Sequence, residues 1–181
     1  MKAIKYILCT LVIALAATSC KNEKTETIEL EKNEIEVFTI TLNAVIQKDD
    51  AFQIFYKEDD NFLSPFEEQN SKYAEFKGSE KAQDLVFTLP EDVYPTQLRF
   101  DFGNNKEQSP IVVNSFKINY KGKNFEVKGA DFFSFFRSEE AFVKVDKAAA
   151  KAIPFVKEDG SYDPMFFSEP ALNAEMIKLA Q

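Results

Sequence analysis

Few side chains in this sequence stand out as able to do chemistry, and the most informative share one short segment. In Gln97-Leu98-Arg99-Phe100-Asp101-Phe102, three apolar residues alternate with Gln97, Arg99 and Asp101. A period of two puts the apolar set on one face of a strand and the polar set on the other. Arg99 is one of two arginines, Arg137 being the other. A guanidinium is a planar fork of donors, and beside a carboxylate it can grip the hydroxyl pairs of a sugar or a second carboxylate. A structural ion pair on a sheet face is the plainer alternative, and it contributes little where exposed. Tyr56 and Tyr94 are the candidate stacking surfaces for a ligand held there.

Two acidic segments offer the oxygen ligands that calcium takes. Glu58-Asp59-Asp60-Asn61 contributes Asp59 and Asp60, and Glu158-Asp159-Gly160-Ser161-Tyr162-Asp163 contributes Asp159 and Asp163. Neither follows the EF-hand pattern, and solvated, charged loops are the plainer reading of both. No other cofactor is expected.

The exclusions are firmer. The chain has no His and no Trp, and both cysteines, Cys9 and Cys20, fall near its start. A Ser-His-Asp triad and a His/Cys zinc site therefore have no residues to build them. No glycine-rich dinucleotide or P-loop pattern occurs. The 30 acidic side chains would admit a two-carboxylate glycosidase, but no pair stands apart from its neighbours. A non-catalytic protein is the expectation. With 22 basic residues against those 30, the formal charge of −8 repels nucleic-acid backbones.

Residues 1–19 read as a secretory signal: Lys2 and Lys5, then an apolar run from Ile7 to Ala17. Ala17-Thr18-Ser19-Cys20 resembles the lipobox of bacterial lipoproteins, with Ala17 where Leu is usual. The resemblance implies lipidation at Cys20 and attachment to a membrane. Lys21 follows the cysteine in place of an Asp, which points to the outer membrane, with the periplasmic and cell-surface faces both open. Residues 20–33 are polar and lack aromatics, as a lipid-anchored tether would.

Residues 34–181 read as a single β-sandwich. Alternation marks strands through Phe38, Ile40 and Leu42; Phe52, Ile54 and Tyr56; Leu85, Phe87 and Leu89; and Leu98, Phe100 and Phe102. Ile111 and Val113 precede Phe116, Ile118 and Tyr120 with a change of phase near Asn114, and Lys121-Gly122-Lys123 turns into Phe125 and Val127. A similar phase change between Val37 and Phe38 suggests a bulge. Helix is confined to short turns, one after Asp131 through Phe132–Phe136 and one over Ala148–Ala152. The fold class is all-β, an antiparallel jelly-roll-like sandwich, with most of the 19 phenylalanines filling its core.

The segments Phe52-Gln53-Ile54-Phe55-Tyr56, Val86-Phe87-Thr88-Leu89-Pro90, Leu98-Arg99-Phe100-Asp101-Phe102-Gly103 and Pro110-Ile111-Val112-Val113 occur in that order. They resemble the jelly-roll modules of bacterial glycan-handling and membrane proteins, which are similar to carbohydrate-binding modules. The resemblance implies a fold first and a glycan or other envelope ligand second. The alternative is a scaffolding lipoprotein of an envelope complex, whose partner surface would be Phe132–Phe136 with Met165-Phe166-Phe167.

Overall fold

The computed structural model describes residues 36–59 and 61–181. The signal segment, Cys20, the tether and Asp60 lie outside the described residues.

Alternation in sequence becomes alternation in burial. In β1 (Thr39–Val45), Ile40, Leu42 and Ala44 are fully buried between half-covered neighbours. β2 (Asp50–Lys57) follows, then β3 (Ser71–Phe76), β4 (Gln83–Thr88), β5 (Gln97–Asp101), β6 (Ile111–Tyr120) and β7 (Lys123–Lys128). After a short helix, α1 (Phe132–Phe135), come β8 (Phe136–Ser138), β9 (Val143–Asp146), β10 (Lys151–Pro154), β11 (Met165–Ser168) and α2 (Pro170–Ala180). One sheet runs β4-β1-β6-β10-β9, with β7 also paired to β6, and the other runs β3-β2-β5-β11-β8. Every strand pair is antiparallel. The two orders run in step: each place in one sheet is held by a sequence neighbour of the strand at that place in the other. This is the all-β sandwich that the alternation predicts.

The phase change near Asn114 is a β-bulge. Asn43 faces Ser115 while Ala44 faces Val113, so Asn114 is the extra residue, and its side chain donates to Asn43 Oδ1 at 2.9 Å. The bulge lets Val113 and Phe116 both point into the core. No bulge occurs between Val37 and Phe38, because β1 begins only at Thr39; Phe38 enters the core and stacks on Tyr120 at 4.2 Å.

Phe52, Phe87, Phe100, Phe102, Phe116, Phe132, Phe136 and Phe166 form one connected network of ring contacts. Phe102 stacks on Phe52 at 4.8 Å and meets Phe166 at 4.6 Å, while Phe136 meets Phe132 at 4.6 Å and Phe116 at 4.9 Å. Phe132, Phe133, Phe136 and Phe166 are therefore core, not the partner surface that the sequence suggested.

The short elements differ most from expectation. α1 forms where a helical turn is predicted, but the Asp131 side chain caps nothing and the chain enters through a 3-10 turn at Gly129–Asp131. Ala148–Ala152 is not helical. Its second half joins β10, where Lys151 pairs with both Val112 and Asp146. A run that short cannot nucleate a helix against two waiting strand partners. The sequence gives little warning of α2, which starts on Pro170 and buries Leu172, Met176 and Leu179 at i, i+4 and i+7.

One glycine closes the sandwich where β3 leaves for β4. A Cβ on Gly78 would overlap the Gln47 carbonyl oxygen and stand 2.8 Å from the Lys48 carbonyl carbon. That approach is fixed by hydrogen bonds from Gly78 N to Asp49 Oδ1 at 2.8 Å and from Ser79 N to Ile46 O at 2.7 Å. Gly78→Ala is expected to cost about 1–3 kcal/mol, since the obstruction is backbone. Thermal unfolding checks this; a melting point equal to wild type would show that residues 77–79 can move aside freely.

Candidate ligand-binding face

The outer face of the β3-β2-β5-β11-β8 sheet carries the polar phase of each strand. Strand register places Tyr73 beside Gln53 and Gln53 beside Asp101. The next row runs Ser71, Phe55, Arg99, Phe167 and Arg137. Gln97, Arg99 and Asp101 do share this face, as their alternation predicts.

Arg99 and Asp101 form a bidentate pair, with Nε donating to Oδ1 and Nη2 to Oδ2, both at 2.8 Å. The guanidinium carbon also sits 3.8 Å from the centre of the Phe55 ring, which is otherwise covered on the outside by Phe66. Such stacking on a phenyl face holds the fork flat against the sheet. The pair is partly desolvated, its side chains 22% and 17% exposed. Burial pushes the Asp101 carboxyl above its ordinary range, against the pull of Arg99, and the Asp163 and Glu68 charges push the same way. Asp163 is raised too, chiefly by burial.

Glu68 organises the neighbouring part of the face. Its Oε1 accepts from Gln53 Nε2 and from the Tyr73 hydroxyl, each at 2.9 Å. Gln53 Nε2 also donates to Ser71 Oγ at 2.9 Å. The Tyr73 ring, held by its hydroxyl at one end, is 56% exposed.

A turn after β5 fixes this arrangement. Asp50 accepts from the backbone N–H groups of Asn104 at 2.9 Å and Asn105 at 3.2 Å. Gly103, at φ +88°, is the residue that lets the chain pass so close, since any Cβ there would overlap the Asp50 carboxylate.

Other residues singled out in the sequence go elsewhere. Tyr56 lies in the apolar phase of β2 and is only 4% exposed, so it is core and cannot serve as a platform. Tyr94 packs edge-on against Phe38 and Tyr120 at the end of the opposite sheet. Gln97 is on this outer face but is roofed by the loop after β2, to which it donates at Asp59 O, 3.1 Å. Of the calcium candidates, Asp59 and Asp159 stabilise turns. Asp59 accepts from Asn61 N and Ser64 Oγ at 2.9 and 3.1 Å, and Asp159 from Ser161 N at 2.9 Å. Asp163 stands close enough to Arg99 to be influenced by its charge. Among the described residues no three His, Cys, Asp or Glu side chains gather as a metal site.

No family model matches the chain, and no curated protein or solved structure matches it either. The geometry of this face therefore carries the functional reading alone. Tyr73, Glu68 and Gln53 are the members that sequence reasoning missed. The available signal was the Ser71, Tyr73, Glu75 phase, opposite Lys72, Ala74 and Phe76; with only two apolar residues, that strand gave no clear alternation.

Proposed function

We propose that this protein is a lipid-anchored component of the outer membrane whose sandwich binds a glycan on the outer face of β3, β2 and β5, without turning it over. The observation that carries the reading is an exposed Tyr73 ring in the same cross-strand row as Asp101, two strands away across Gln53. An exposed phenol ring offers an apolar face for the C–H side of a pyranose, together with a polar handle. Glu68 and Asp101 present acceptors for hydroxyls. Arg99 spends two N–H groups on Asp101, leaving three of its five donors for a ligand. Both Asp101 oxygens already accept from Arg99, which suits a gripping group better than a nucleophile or proton donor. Anchoring at Cys20 follows from the lipobox resemblance.

A glycan panel applied to the detergent-solubilised full chain tests the reading. Specific retention is expected, and Tyr73→Ala should weaken it at least tenfold, about 1.4 kcal/mol, while the melting temperature stays within error. Arg99→Lys should also weaken binding, because a point charge cannot reproduce the planar fork. A folded protein that retains no glycan, or one whose binding ignores both substitutions, would sink the proposal.

A protein partner is the second reading, and one feature favours it. Phe62 and Leu63, at the tip of the loop after β2, are 65% and 93% exposed.

A further inference from the structure

Beside the open part of this face, beneath the loop that joins β2 to β3, lies a cleft of about 390 Å³. That volume is in the range of small-molecule sites, roughly 300–1,000 Å³. Its walls include three phenyl rings, Phe62, Phe66 and Phe167, and among the described residues its only charged lining residue is Arg137. Among the described residues no carboxylate lines it, in a chain whose formal charge is −8.

Cationic groups lie against two of the rings. The Arg137 guanidinium lies 5.2 Å from the Phe167 ring centre, Lys57 Nζ 4.8 Å from that of Phe66, and Arg99 5.8 Å from the same ring. Arg99 is matched by Asp101. Lys57 is buried, and its ammonium donates to the neutral oxygens Asn61 O, Ser64 O and Ser64 Oγ at 2.9–3.2 Å. Arg137 forms an ion pair with Glu169, whose Oε1 stands 3.7 Å from Nε, but that is too far for a hydrogen bond, so the guanidinium N–H groups have no acceptor among the described residues. Arg137 thus keeps its donor fork available at the cleft.

The floor is rigid. Ser168 Oγ accepts from Leu98 N at 2.9 Å and donates to Asn173 Oδ1 at 2.6 Å, tying the cleft to β5 and to the buried face of α2. Ser64, Gln97 and Ser168, with Arg137, put polar atoms among the apolar side chains of the walls.

We infer that this cleft binds a small organic anion, a carboxylate carried on a flat apolar body. The body lies among Phe62, Phe66 and Phe167, and the carboxylate pairs with the Arg137 fork, the geometry that guanidinium and carboxylate share. None of Tyr73, Gln53 and Glu68 lines the cleft, so this site stands independently of the glycan reading.

Calorimetry on the full chain, with 2-naphthylacetate, 2-naphthylethylamine and acetate as probes, separates the contributions. Naphthylacetate is expected to bind at least tenfold more tightly than either the amine, which has the same body and opposite charge, or acetate, which lacks the body. Arg137→Gln should weaken naphthylacetate at least tenfold without shifting the melting temperature, since this side chain is mostly in solvent. Arg137→Lys should fall between the two. Tyr73→Ala should leave naphthylacetate binding unchanged. Three results overturn the inference: no saturable naphthylacetate binding, equal binding of the amine, or indifference to Arg137→Gln. Loss of binding in Tyr73→Ala would overturn the independence of the two sites.

Discussion

Phe100→Ala is expected to cost about 3–5 kcal/mol, the range for emptying a buried phenyl site. Phe100 is fully buried on β5, and its ring meets Phe102 at 5.1 Å, Phe52 at 6.3 Å and Phe136 at 6.4 Å within its own sheet. It also meets Phe87 of the opposite sheet edge-on at 5.2 Å, so its removal opens the seam between the layers. Aromatic neighbours are stiff and cannot fold into the gap as Met or Leu would, which keeps the cavity term large. Against a typical total of about 5–15 kcal/mol, the variant stands close to unfolding. Urea denaturation with and without the substitution gives the number. Phe62→Ala, on the exposed loop, supplies the contrast and should stay within about 0.5 kcal/mol of wild type. A Phe100→Ala cost below about 1 kcal/mol would show that the ring network relaxes around the loss, and that the two layers are not held by their aromatic contacts.

The same strand shows what the sequence could and could not disclose. Alternation along Gln97–Phe102 fixed both the core role of Phe100 and the outward placing of Arg99 and Asp101, because side-chain direction in a strand is a local property. The bulge at Asn114 was legible for the same reason, as a slip of phase. What the alternation could not show was which outward residues a loop would cover. Gln97 is polar and faces outward, yet residues 58–66 fold over it, and that depends on the distant hydrogen bond to Asp59. Tyr56 misled because its hydroxyl suggested a surface role, although its place in the Phe52, Ile54, Tyr56 phase marked it as core. β8 to β11 are only three or four residues long, too short for a period to be read. β10 and β11 pair with β6 and β5, far back in the chain, and β9 and β8 pair in turn with them, so their pairing is a tertiary effect.

Arg99→Ala is expected to destabilise the fold by about 2–3 kcal/mol at neutral pH. Breaking a buried pair by removing one partner costs about 3–5 kcal/mol, and the residual exposure of this pair reduces it. The sequence alone suggested a substitution nearly silent for stability; the stacking of Arg99 on Phe55 and its grip on a desolvated carboxylate change that expectation. The sign of the pH dependence separates the two causes. Burial already raises the Asp101 carboxyl above its ordinary value of 3.8, so ionising it opposes folding. This group's contribution is fully present in acid and is lost as the pH rises through its folded pKa. Without Arg99 that pKa climbs further, so the deficit of Arg99→Ala should be greatest near neutrality and shrink as the pH falls towards 4. What persists in acid is the lost stacking on Phe55, about 0.5–1 kcal/mol. Adding Asp101→Asn to Arg99→Ala should recover most of the neutral-pH deficit, because it removes the stranded charge. Denaturant unfolding of the wild type, both single variants and the double variant at pH 4 and 7 tests this. A deficit that is the same at both pH values, and that Asp101→Asn does not repair, would mean that Arg99 serves the fold as a flat cover for Phe55. In that case the carboxylate beside it would be free to meet a ligand directly, and the grip on hydroxyl pairs would pass from the guanidinium to Asp101 and Glu68.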